Sequence, residues 1–162
     1  MSRFVLLLLL FFVLTLCVGV LLSVTNIKGT QAERRNAQRQ KDVEVIANRV
    51  EAFARRNKTL PNFSSTLQQL GTEQTGCKLS TNTCDIQNDS CFDLHFLTES
   101  KDLSLPSDIL IGTYYKTGYG VQFDHAKQHL TVTACGAENG QTIQAERSFI
   151  EILQPTISNA KK

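Results

Sequence analysis

The feature that most constrains this chain is an unbroken apolar run near its start. Phe4 to Val24 reads FVLLLLLFFVLTLCVGVLLSV, and no charged residue stands between Arg3 and Lys28. As a helix rising ~1.5 Å per residue the run extends about 31 Å, the thickness of a bilayer's hydrocarbon core. A cleaved signal peptide carries a shorter apolar region, roughly 7 to 15 residues, and a small-x-small cleavage site. Neither is present, and Leu16 before Cys17 is not the small residue that lipoprotein processing wants. The expectation is an uncleaved, single-pass anchor over residues 1–27, with the lipid bilayer as its partner.

Past that segment roughly 135 residues remain to fold in water, enough for one compact core and too few for a multidomain enzyme. Their charge is uneven. Residues 28–58 hold nine Lys/Arg against four Asp/Glu, net +5, whereas 59–162 hold seven against eleven, net −4. The expected organisation is a basic amphipathic spine over 28–58, a head over 59–157 and a flexible tail over 158–162. On charge counting alone, Lys28, Arg34, Arg35, Arg39 and Lys41 after the run outweigh Arg3 before it and hold the C-terminal part inside. The cysteines argue the reverse. Cys77, Cys84, Cys91 and Cys135 are an even set in a small head, as expected of two disulfides in an oxidising compartment. The head is therefore expected on the extracytoplasmic side of the cell membrane.

From Thr30 to Asn57 there is no Gly or Pro, and Val43, Ile46, Ala47, Val50, Phe53 and Ala54 recur with helical period, giving one packing face. Asn57 and then Pro61 mark the helix end. Ser65 and Gln68, with Leu67, Leu70 and Gly71, predict a short capped helix, followed by a polar loop to Ser90. The remainder has strand period: Phe92, Leu94 and Phe96; Leu110 to Tyr115; Tyr119, Val121 and Phe123; Leu130, Val132 and Ala134; and Ile143 with Ala145, before a final helical turn within Phe149 to Leu153. A sheet with one buried face needs a cover, and the 43–54 stripe is the long one at hand. The expected class is α+β: a long N-terminal helix, half transmembrane and half amphipathic, packed on a small antiparallel sheet.

Candidate chemistry is thin. Cys77, Cys84, Cys91 and His95 are spaced C-x6-C-x6-C-x3-H, unlike the closely paired cysteines of zinc modules. Disulfides fit better. Three pairings are open, and the placement of Cys91 and Cys135 on expected strands favours Cys77–Cys84 with Cys91–Cys135. His125 and His129 flank a turn beside Asp124 without an activated nucleophile. Asp102 and Asp108 are too few carboxylates for calcium, which takes about six to eight oxygens. Tyr114, Tyr115, Lys116 and Tyr119 resemble a stacking surface for single-stranded nucleic acid, but an acidic head repels phosphate, so no nucleic acid is expected. Arg34, Arg35, Arg39 and Lys41 are expected as membrane-proximal basic contacts, to headgroups or to a filament. No catalytic constellation, cofactor, metal or small-molecule substrate follows from these residues.

Two stretches resemble the type IV pilin and type II secretion pseudopilin superfamily. One is Ala37-Gln38-Arg39-Gln40-Lys41-Asp42 with Ile46, Val50, Phe53, Asn57, Leu60-Pro61, Leu67, Leu70 and Gly71, similar to that family's A-x-R-x-x-D … I … N-G-x-Y-P … L run. The other is Thr117-Gly118-Tyr119, Leu130 to Ala134 and Ala137-Glu138. The resemblance implies a non-enzymatic structural subunit whose head is exported despite the basic residues behind its apolar run. It also implies other pilin-like subunits, a membrane platform protein and a cytoplasmic assembly ATPase as partners. In that family a basic leader ends in Gly or Ala, and a Glu follows four positions after the exposed Phe; here Arg3 precedes Phe4 and Leu8 occupies the Glu position. A Leu cannot pair with a neighbouring α-amino group inside a membrane. The alternative expectation is a membrane-tethered binding module with pilin architecture that does not polymerise.

Overall fold

The computed structural model describes residues 3–94, Leu97 and residues 105–153; along the first helix, side chains are described at 10–18 and from Gly29 onward. His95, Phe96 and Asp102, and the end of the head and the tail from residue 154, lie outside the described residues. The chain forms two compact units, Met1–Arg35 and Asn36–Lys162.

Helix α1 runs Arg3–Asn57. At its end Lys58 adopts a left-handed φ of 54° and its N–H reaches the Ala54 carbonyl at 2.8 Å, closing the last turn. Within the described part of the first unit, Leu10 to Leu14, Leu16 and Val18 are exposed apolar side chains. Thr15, the one polar side chain among them, returns its hydroxyl to the Phe12 carbonyl at 2.9 Å. Among the described residues no helix is long and apolar enough to cross a membrane; the described side chains of the Phe4–Val24 run are those of residues 10–18.

The second unit is α+β, with α1 packed on a four-stranded antiparallel sheet. The strands are β1 (Gln68–Gly71), β4 (Lys116–Asp124), β5 (His129–Ala134) and β6 (Gln144–Ser148), in spatial order β1-β4-β5-β6. Between β1 and β4 a two-stranded ribbon, β2 (Leu79–Ser80) with β3 (Asp85–Ile86), interrupts the expected loop. A last turn, α2, spans Ile150–Leu153. Period-two alternation puts Tyr119, Val121 and Phe123 of β4 on one face, paired across to Ala134, Val132 and Leu130 of β5. They form one core with Val43, Ile46, Ala47, Val50 and Ala54 of α1, all five fully buried. Burying an aliphatic side chain of this size stabilises by about 1.5–3 kcal/mol, so this stripe holds the helix down. Phe53 packs at the edge of the same core, half-buried.

The opposite face of β4 is covered too, against the expectation of a single buried face. Gly120 lies so close to the ribbon that a Cβ there would sit 2.9 Å from the Leu67 side chain. A smaller core of Cys84, Ile86 and Cys135, with Leu67, Leu79 and Ile111, fills that side.

Three expected elements differ. Residues 68–71 form strand β1 rather than a capped helix, because Gln68 and Gln69 pair with Val121 and Gly120 of β4 and are buried there. Phe92 makes a single parallel bridge to Leu70 in place of a strand over 92–96. Leu110 to Tyr115 is a turn, since the Asp108 carboxylate captures the N–H groups of Leu110 at 2.8 Å and Ile111 at 3.1 Å before they can join a ladder.

The disulfide pairing is also corrected. The bonds are Cys77–Cys91 and Cys84–Cys135, with Cα separations of 5.2 and 5.1 Å. Ribbon strand β3 carries Cys84 onto the sheet beside the end of β5. The Cys77 N–H bonds the Asp89 carbonyl at 2.9 Å and the Cys91 N–H the Glu73 carbonyl at 3.0 Å, which brings the two ends of the loop together.

Candidate functional site

The N-terminal turns of α1 within the second unit place Asn36, Arg39 and Asp42 on the face that continues as Val43, Ile46 and Val50. All three are buried, Arg39 to 1% of its surface. The Arg39 guanidinium donates through Nε to Asp108 Oδ2 at 2.5 Å and through Nη2 to Oδ1 at 3.3 Å. Its Nη1 reaches Glu138 Oε2 at 2.8 Å and Asn36 Oδ1 at 2.9 Å. Asn36 in turn donates to the Glu138 carbonyl and accepts from the Glu138 N–H, at 3.0 and 3.1 Å, so the segment after β5 is tied to the helix by side chain and backbone together. One turn further, Asp42 Oδ2 accepts the Tyr119 hydroxyl of β4 at 2.6 Å, and Gln38 supports the other oxygen at 2.8 Å.

Glycines make room for this cluster. A Cβ at Gly136 would lie 2.6 Å from Asp108 Oδ2, and Gly118 combines a φ of +77° with a Cβ position 2.9 Å from the Asp108 Cβ. A substituted residue at either position displaces the carboxylate that neutralises Arg39.

The electrostatics follow from that packing. Burial by itself raises the Asp108 carboxyl, but the Arg39 hydrogen bond, the N–H groups of Leu110 and Ile111 and the Arg39 charge outweigh it and hold the group below the usual carboxylate range. Burial likewise lowers Arg39, and its bonds to Asp108 and Glu138 more than restore it. Tyr119 is pushed up by burial first and then by its bond to, and the charge of, Asp42. The phenol therefore stays protonated and the bond stays a donor–carboxylate pair. The guanidinium fork is filled by fixed partners. What this arrangement does is hold the sheet on the helix by directional, charge-assisted bonds.

The other singled-out residues are placed apart. Arg34 and Lys41 are exposed and Arg35 is half-buried, whereas Arg39 is not a membrane-proximal surface contact. That correction has a physical cause: Arg39 shares the sheet-facing side with the apolar stripe, and a charge there requires a buried counter-charge. Tyr119 leaves the expected tyrosine surface for the core, while Tyr114 and Tyr115 stay exposed and meet edge-on with centroids 4.9 Å apart. His125 lies 3.1 Å from the Phe63 carbonyl, and His129 faces Glu146 at 3.8 Å. Asp108 serves Arg39 and two backbone N–H groups. Among the described residues no group of three or more His, Cys, Asp or Glu is placed to hold a metal.

Sequence reasoning did not find the cluster as such. Its signal is three polar residues, Asn36, Arg39 and Asp42, in phase with the apolar stripe, where a solvated residue does not belong. The chain matches no family model, no curated protein and no solved structure.

Proposed function

We propose that this protein is a pilin-like, single-pass membrane structural subunit, with its disulfide-bonded head outside the cell and no enzymatic role. The observation that carries the reading is that one helix combines two surfaces. At residues 10–18 its apolar side chains are exposed, a surface that calls for lipid or for neighbouring helices. At residues 36–54 it is committed to its own sheet. The residues of the pilin-like run, Arg39 and Asp42, are those that bind that sheet, so the resemblance coincides with the contacts that define the architecture. Two disulfides support an oxidising location. The implied partners are other pilin-like subunits and a membrane assembly platform.

The second reading is a tethered binding module that never polymerises. Leu8 favours it, because the intramembrane carboxylate that sets subunit register in a filament is replaced by an apolar side chain.

The test is carbonate washing of native membranes, followed by intact mass, N-terminal sequencing and sedimentation of the extracted protein. Retention in the membrane, a start at Phe4 and sedimentable assemblies support the filament subunit. Retention with a start at Met1 or Ser2 and no assemblies supports the tethered module. Recovery in the wash overturns both.

A further inference from the structure

Outside residues 10–18, six large apolar side chains are exposed among the described residues, and four of them, Ile109, Leu110, Tyr114 and Tyr115, occupy one seven-residue turn. Ile109 is 79% and Tyr114 92% exposed. The turn is rigidly built. Asp108 holds the N–H groups of Leu110 and Ile111, the Gly112 N–H bonds the Asp108 carbonyl at 2.9 Å, and Thr113 Oγ1 accepts from Lys116 N at 3.1 Å. A preformed apolar and tyrosine surface spends little ordering entropy on binding and has the composition of an interface centre.

Its rim is acidic. The adjoining lobe, residues 72–93, carries Glu73, Asp85, Asp89 and Asp93 against the single Lys78, net −3. The two are joined where the Thr72 N–H bonds the Tyr115 carbonyl at 2.9 Å and Lys116 Nζ lies 3.0 Å from Glu73 Oε2. The complementary surface is on the same molecule. The side of α1 away from the sheet presents Lys41, Val45, Asn48, Ala52 and Arg55, all exposed, with no carboxylate in the row. The nearest acids, Glu44 and Glu51, sit on a flank and grip Arg147 of β6 at 2.5 and 3.3 Å.

We propose that the 109–115 turn and its acidic rim dock on the outward basic face of α1 of a second copy of this chain. The proposal rests on the subunit reading and deepens it. Because the two patches differ, the contact is head-to-side, and each copy offers one free patch of each kind after pairing, so association extends rather than closing as a two-fold dimer.

The test is sedimentation velocity of the full chain in mild detergent, at about 0.05 M and about 0.5 M salt, a range over which exposed charges become screened. The wild type is expected to form assemblies that weaken at high salt, and Tyr114→Ala, at a solvent-exposed ring, to weaken association by about tenfold or more. Two charge reversals complete the design: Lys41→Glu/Arg55→Glu, and Asp85→Lys/Asp89→Lys. Each alone is expected to stay dissociated. Mixing the two restores assembly, because each variant's altered patch then faces an opposite charge. If the wild type associates but responds to neither salt nor Tyr114→Ala, and the mixture behaves as its parts, the docking surface is wrong and the subunit reading survives. A wild type that never associates overturns both.

Discussion

Two parts of one helix face are held to one sheet by different physics. From Val43 to Ala54 the contact is made by aliphatic side chains against Tyr119, Val121, Leu130 and Val132. From Asn36 to Asp42 it is made by a buried guanidinium, two carboxylates, an amide and a phenol. The apolar part is tolerant: methyl groups pack against methyl groups in many registers. The polar part is not, since Arg39 finds its partners only if Asp108 and Glu138 arrive together. The difference indicates that burial supplies the holding force and the ion cluster selects one register of helix on sheet, the role for which buried polar groups are best attested.

The comparison breaks most visibly at Asp108. Asp108→Ala leaves Arg39 buried with one carboxylate fewer and removes the acceptor of two turn N–H groups, and is expected to cost about 3–5 kcal/mol in chemical denaturation. Replacing both partners, Arg39→Met with Asp108→Leu, is expected to recover most of that loss. If the double variant is as unstable as the single one, the cluster contributes stability in its own right and the division of labour is wrong. At the apolar part, Ile46→Ala deletes fully buried methylenes at a position closed on all sides, at about 2–4 kcal/mol. No second substitution across the sheet is expected to rescue it, because a cavity has no counter-charge to remove.

How much of this was legible follows the same division. Apolar periodicity exposes itself in sequence, so the extent of α1 and the faces of β4 and β5 can be read from Val43 to Ala54, Tyr119 to Phe123 and Leu130 to Ala134. Polar residues in structural roles are read as surface. Gln68 and Gln69 look like helix or loop and lie in a strand; Arg39 looks like a headgroup contact and lies in the core. The Leu110–Tyr115 segment has the β-branched and aromatic content of a strand, and one carboxylate at Asp108 turns it into a display loop. Disulfide connectivity depends on which strand lands beside which, a long-range fact: Cys84 and Cys135 are 51 residues apart in the chain. No local pattern encodes that.

Tyr119 joins the two regimes, its ring in the apolar core and its hydroxyl on Asp42. Tyr119→Phe keeps the packing and removes one hydrogen bond to a charged group, an expected loss of about 1.5–3 kcal/mol by denaturant titration. A loss no larger than that of a surface substitution shows that water replaces the phenol at Asp42, and that the polar part is less sealed than its burial implies.

The gentlest probe is acid, and it separates the two parts without a large deletion. The Asp108 carboxyl is lowered in the folded protein relative to its ordinary value of 3.8. A lowered folded value means that the charged form stabilises the fold. That contribution is complete above the unfolded value and is lost as pH falls through the folded one. Stability of the wild type is therefore expected to fall below about pH 4, with a slope to which Asp108 contributes. Asp108→Asn lowers stability at neutral pH and flattens this acid limb, because the group that binds the extra proton on unfolding is gone. Ile46→Ala lowers the whole curve and leaves its shape unchanged, since no titrating group has been touched. Parallel acid limbs for all three proteins would place the acid sensitivity at other carboxylates and deny the ion cluster its part in it.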